Sequence, residues 1–146
     1  MPAGGELLAL SVLILVSAMS LADEVPPVEG TWISGDGDGL IEIRIVGDGL
    51  SGVVAGSLNP DPDRPDQDEK NPEPSLRDRA LIGLDIFSGF HYAGDGRWKG
   101  GRIYDPNNGK TYRCKLKLLD RDTLKVRGFI GISLIGRTET WHRQAD

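Results

Sequence analysis

Leu40-Ile41-Glu42-Ile43-Arg44-Ile45-Val46, followed at once by Gly47-Asp48-Gly49, decides the fold class. Isoleucines at 41, 43 and 45 alternate with charges at 42 and 44, and in an extended chain successive side chains point to opposite faces. One face is therefore apolar and the other wet. The Gly-Asp-Gly that follows supplies the positive φ angles of a tight hairpin, so the segment reads as a half-buried strand turning back on itself.

Working outward, the pattern recurs. In Thr111–Leu119, Tyr112, Cys114, Leu116 and Leu118 share one face and Arg113, Lys115 and Lys117 the other; Leu124, Val126 and Ile130 continue the apolar side opposite Lys125 and Arg127. With Gly30–Ser34, Leu50–Ser57, Leu81–Phe87, Arg97–Tyr104 and Gly136–Arg143 these give eight candidate strands. Asp36-Gly37-Asp38-Gly39 and Gly94-Asp95-Gly96 mark further turns. Strands linked in order by short hairpins make a meander, and eight of them suit a closed, all-β, antiparallel up-and-down barrel with no free edge. A two-sheet sandwich is the alternative. The expected barrel domain spans 29–146.

One stretch does not fit a meander. Asn59–Pro74 holds six acidic residues, five prolines, two basic residues and three amides, with no apolar side chain to bury. A solvated loop over 59–80 is expected, because nothing in it offsets the entropy of ordering. Ser75-Leu76-Arg77-Asp78 resembles a capping box, which predicts one helical turn before the next strand.

At the start, Leu7–Leu21 reads LLALSVLILVSAMSL and ends in Ser20-Leu21-Ala22. The run has the length of a signal-peptide core and a small-x-small cleavage site, so a signal helix over 1–22, cut after Ala22, is expected, with 23–28 as a short linker. It is shorter than the roughly 20 apolar residues of a membrane span. No Lys or Arg precedes Leu7, unlike most export signals, and no cysteine follows to carry a lipid. A periplasmic or secreted product with no stable membrane span is the expectation.

The net charge of −5, with both signs interspersed, argues against nucleic acid as a partner. Cys114 is the single cysteine and has no partner for an internal disulfide. Catalytic signatures fail on spacing: in Gly131-Ile132-Ser133-Leu134-Ile135-Gly136 the second glycine comes one residue late for a nucleophile elbow. His91 and His142 lack an obvious acid partner, and no glycine cluster has phosphate-loop spacing. Asp36, Asp38, Asp61, Asp63, Asp66 and Asp68 crowd two loops, but Leu40 and Pro65 stand where a calcium loop needs oxygen ligands. No catalytic residue, metal or cofactor is assigned, and no enzyme is expected. If Asp120-Arg121-Asp122 is a turn, Lys117 faces Lys125 and Lys115 faces Arg127 across adjacent strands, which is destabilising unless solvated or matched by an anionic partner.

Three stretches carry a family resemblance: Gly30-Thr31-Trp32; Trp98-Lys99-Gly100-Gly101-Arg102-Ile103-Tyr104-Asp105-Pro106 with Gly109-Lys110-Thr111-Tyr112; and Val126–Leu134 with Gly136-Arg137-Thr138-Glu139-Thr140-Trp141. With Leu81-Ile82-Gly83-Leu84 and Ser88-Gly89-Phe90 they resemble the bacterial family known as domain of unknown function 2147. The resemblance implies an exported lipocalin-like barrel and no established reaction or ligand. Gly30-Thr31-Trp32 also looks like the Gly-x-Trp opening of lipocalins, which implies that Trp32 closes the barrel floor beneath Arg143, or less readily Arg137. The family pattern carries two cysteines around the second hairpin where this chain has Val46 and Ser51, which puts any thiol-based role in doubt here.

Two functional expectations follow. The first is a carrier or sensor holding a small hydrophobic ligand, with Ile41, Ile43, Ile45, Tyr112, Leu116 and Leu118 as inward cavity candidates. The second is a non-catalytic envelope module that contacts protein or lipid through surface residues such as Lys115, Lys117, Lys125 and Arg127.

Overall fold

The computed structural model describes residues 13–14 and 27–145. Except for Leu13 and Ile14, the expected signal helix and its cleavage site lie outside these residues, as does most of the linker. Nine strands follow: β1 (Gly30–Ile33), β2 (Gly39–Val46), β3 (Gly49–Ser57), β4 (Phe87–Ser88), β5 (His91–Tyr92), β6 (Arg97–Asp105), β7 (Lys110–Asp120), β8 (Thr123–Phe129) and β9 (Gly136–Arg143). All pair antiparallel in one sheet of order β3-β2-β1-β9-β8-β7-β6-β4, with β5 also on β6. β4 and β5 are two halves of one broken stave, so the wall is an eight-staved, nearly closed cylinder.

The cylinder closes where 83–92 runs back along β3. Val54 N–H donates to the Leu84 carbonyl, Gly83 N–H to that of Val54, Ile86 N–H to that of Gly52, and Tyr92 N–H to that of Asp48. The expected strand over Leu81–Phe87 is corrected here. Only Phe87 of that span lies in a strand, because Gly83 takes a φ of 90° and the Asp85 carboxylate, not the backbone, receives the N–H of Gly52 at 3.0 Å.

Antiparallel order fixes the two ends. Turns 47–48, 93–96 and 121–122 gather with residues 27–29 at one end, the floor. Loops 34–38, 58–86, 106–109 and 130–135 gather at the other, the mouth. Between them lies an aromatic core: Trp32, Trp98, Trp141, Phe87 and Phe90 are buried together with Ile41, Ile43, Leu50, Cys114, Leu116, Leu124 and Val126. Phe87 meets Phe90 edge-on at 5.1 Å and stacks on Trp141 at 6.1 Å. Two glycines make room for these rings. A Cβ at Gly52 would overlap Phe87, and one at Gly101 would overlap Phe90. Each buried phenylalanine stabilises the fold by about 1.5–3 kcal/mol.

The acidic loop is not merely solvated. Asp68 is fully buried and Asn71 nearly so. Asp68 accepts from Tyr104 Oη at 2.5 Å, Asn71 Nδ2 at 2.8 Å and Arg79 Nε at 2.9 Å, and its own N–H donates to the Arg79 carbonyl. Polar bonds to β6 thus order a segment with no apolar residue to contribute. The expected turn begins one residue early, as a 3-10 turn over Pro74–Leu76, and Ser75 bonds Glu73 rather than capping a helix.

Candidate functional site

The floor is built on one cross-strand pair. Trp32 and Arg143 are register partners on β1 and β9, and the guanidinium lies 4.4 Å from the indole centroid. Its three nitrogens are all in use: Nε donates to the Arg121 carbonyl at 2.8 Å, Nη1 to that of Glu29 at 2.7 Å and Nη2 to that of Pro27 at 2.5 Å. Gly30 must be glycine, since a Cβ there would overlap Nη1 of Arg143. Trp32 donates from Nε1 to the Val28 carbonyl at 2.9 Å, and Val28 is fully buried. The supposed linker therefore already belongs to the floor at Pro27 and Val28. Arg137, the weaker candidate, sits at the mouth beside Glu139 at 3.6 Å.

The cavity candidates divide by height. Ile41, Ile43 and Leu116 point inward but are at most 5% exposed, buried in the core. They are packed core, not cavity lining, which corrects that expectation: three tryptophans and two phenylalanines already fill the cross-section. Ile45 is 36% exposed near the hairpin, although its register partner Leu50 is buried. Leu118 is half-buried near the floor. Tyr112 is half-buried at the mouth, paired with Ile103, and its hydroxyl accepts from Asn108 Nδ2 at 2.8 Å.

Sequence reading missed the other mouth residues. Val54 and Ile103 share the inward phase of Ile41 and Tyr112 and are half-buried. Glu139, opposite buried Val126, is also half-buried and accepts from Trp141 Nε1 at 3.1 Å. Glu139 could have been found by asking why a charge occupies the inward phase of β9. Cys114 lies beneath, its thiol pushed up to about 12 by burial and then by the Glu139 charge. Outside the wall, a cleft of about 300 Å³ runs between the acidic loop and β4, lined by Asn71, Leu76, Arg79, Ser88, Tyr104 and Thr111.

The aspartates at the mouth are engaged in turn chemistry. Asp36 accepts from Ser34 Oγ at 2.5 Å and from the Asp38 N–H at 3.0 Å. Asp38 binds the Arg64 guanidinium and the Ser57 hydroxyl, which hold its carboxyl well below the usual carboxylate range.

On the outer wall, Lys115 faces Arg127 and Lys117 faces Lys125. Lys117 also faces Arg97, and Arg113 faces Arg102. Among the described residues none of these seven cations has an ion-pair partner. Arg127 is also bonded within the protein: Nε and Nη2 donate to the Ser133 carbonyl at 2.9 and 2.6 Å, and Nη1 to Thr138 Oγ1 at 2.8 Å.

A family model described as uncharacterized protein conserved in bacteria (DUF2147) matches residues 30–143. The chain belongs to this family. Among solved structures, it is similar to protein HP1028 from Helicobacter pylori, described as belonging to the lipocalin family, with a TM-score of 0.70 and 22% identity over 84% of each chain. At that identity the likeness establishes the lipocalin-like fold of this DUF2147 member. No curated protein matches the chain.

Proposed function

We propose that this DUF2147 member is a non-catalytic carrier or sensor that takes a small hydrophobic ligand in the mouth half of its barrel. One observation carries the reading. The Trp32–Arg143 floor closes one end and the buried core reaches the rungs where Ile41 pairs with Val54 and Phe87 with Ile103, but Val54, Ile103 and Tyr112 themselves are inward and incompletely covered toward the mouth. An eight-stranded barrel is just wide enough for one small ligand, and the incompletely covered inward residues of this one favour the mouth as the place for it. Glu139 and Arg137 at the same end would meet a polar end of that ligand, so a molecule with an apolar body and one hydrogen-bonding head fits best. The Cys114 thiol, held protonated by burial, supports a binding rather than a chemical role.

Export is part of the proposal and rests on the Leu7–Leu21 run and the Ser20-Leu21-Ala22 site. N-terminal sequencing of the mature protein should begin at Asp23. An intact Met1 would refute it.

The ligand reading is tested by native mass spectrometry of the protein taken from its own compartment, and by titration with an apolar fluorescent probe. Saturable probe binding that is lost in V54W or I103W, which plug the mouth, is the expected result. A wild-type protein that carries no small molecule and does not saturate with probe would overturn it.

A further inference from the structure

The loop between β8 and β9 runs Ile130-Gly131-Ile132-Ser133-Leu134-Ile135 and presents four aliphatic side chains to water, from 59% exposed at Ile132 to 87% at Leu134. It is held in shape. Ile130 N–H donates to the Ile135 carbonyl and Ile135 N–H to that of Ile132. Arg127 grips the Ser133 carbonyl, and Arg113 reaches the Gly131 carbonyl at 3.3 Å. An exposed apolar patch is ordinarily a contact surface, and this one is pinned by cations rather than folded onto the core.

Those cations open onto the unpaired basic wall. Arg97, Lys117 and Lys125 form one rung across β6, β7 and β8; Arg102 and Arg113 form another; Lys115 and Arg127 lie between. Like charges directly opposed across strands destabilise a sheet, and no acid of the described residues pairs with these. Counting staves around the cylinder, the acidic 58–86 loop leaves between the third and fourth, and the apolar loop between the seventh and eighth. Their points of departure are half a circumference apart. The acidic loop folds back onto the mouth end of β6, where Tyr104 and the Asn107 carbonyl hold it, so it borders the cationic wall at β6 while the greasy tip lies at the β8 edge.

We infer that the β6–β8 wall and the Ile130–Ile135 tip dock on an anionic lipid bilayer, the aliphatic tip entering the acyl boundary while the wall meets lipid phosphates. Charge complementarity decides for this occupant. An acidic protein would account for the cations but not for four exposed aliphatics at their edge, whereas an anionic membrane surface uses both at once.

The test is flotation of the folded protein with vesicles of equimolar phosphatidylglycerol and phosphatidylcholine, and with vesicles of phosphatidylcholine alone. Binding to the anionic vesicles only, weakened by salt, is expected. I132S/L134S and, separately, K117E/K125E should each weaken it about tenfold or more. All four positions are outside the core, and unchanged near-ultraviolet circular dichroism would show that the variants fold. No binding, or equal binding to neutral vesicles, overturns the inference. So does a dimer of the wild type that the tip substitutions convert to monomer without any vesicle binding, which would make a second copy the occupant. Probe titration in vesicle-free solution reads the mouth ligand separately, so either proposal can fail alone.

Discussion

Tyr104 donates its phenol proton to Asp68 at 2.5 Å, although the Asp68 side chain has no contact with water. Burial alone would drive the carboxyl toward its neutral form, yet bonds from Tyr104, Asn71 and Arg79 outweigh that penalty and hold it below its ordinary value. Tyr104→Phe removes a hydrogen bond to a buried charge. It should lower stability by about 1–3 kcal/mol in urea titration and raise amide exchange over 66–81.

The same pair predicts opposite pH dependences. A carboxyl whose folded pKa is depressed adds stability above its unfolded value of 3.8, and that stability is lost as pH falls through the lower folded value. Tyr104 is raised from 10.0 to about 12 by burial and by Asp68, so its contribution is complete below 10 and disappears as pH climbs toward 12. Ultraviolet difference titration should show a tyrosine phase near 12 that Asp68→Asn moves downward. An unmoved phase would contradict the assignment.

Arg143→Ala deletes three charged donors to carbonyls and uncovers the Trp32 ring, so a loss of about 3 kcal/mol is expected. Arg143→Lys should recover little of it, because an ammonium cannot span three carbonyls from one plane. Thermal unfolding followed by tryptophan emission checks both.

Gly52→Ala and Gly101→Ala insert a methyl where an aromatic ring already lies. Each should destabilise by about 1–3 kcal/mol through overpacking, visible as a lowered urea midpoint. Tolerance of both would mean the rings have slack.

Cys114 should resist alkylation in the folded protein, since burial keeps its thiol neutral to about 12. Mass spectrometry after a pulse of maleimide should show modification only as denaturant unfolds the chain.

How much of this was legible in the sequence differs by element. β2 and β7 could be read because each has one dry and one wet face, and the Lys115–Arg127 and Lys117–Lys125 oppositions followed from locating a turn at 121–122. The stave after the long loop could not. Its ladder to β3 is interrupted by an aspartate side chain, and two residues per strand are too few to show a period. The anchoring of the acidic loop was equally hidden, because Asp68 finds Tyr104 36 residues away and hydrophobic patterning is silent about polar partners. At the site, the phase of Ile41, Ile43 and Leu116 was readable. Their height was not, since it depends on which glycines let rings from elsewhere fill the middle.

β1 lies between β2 and β9, so the first strand of the barrel has to wait for the last one to be made. During synthesis its outer edge stays bare until residue 143 emerges, and folding can finish only after nearly the whole chain is available. A long-range closure of this kind is slow. It also brings the start of the barrel at 27–29 beside its last strand at 143–144, where a genetic fusion joining them and opening the 121–122 hairpin instead would test whether sequential order, rather than the finished cylinder, sets the folding rate.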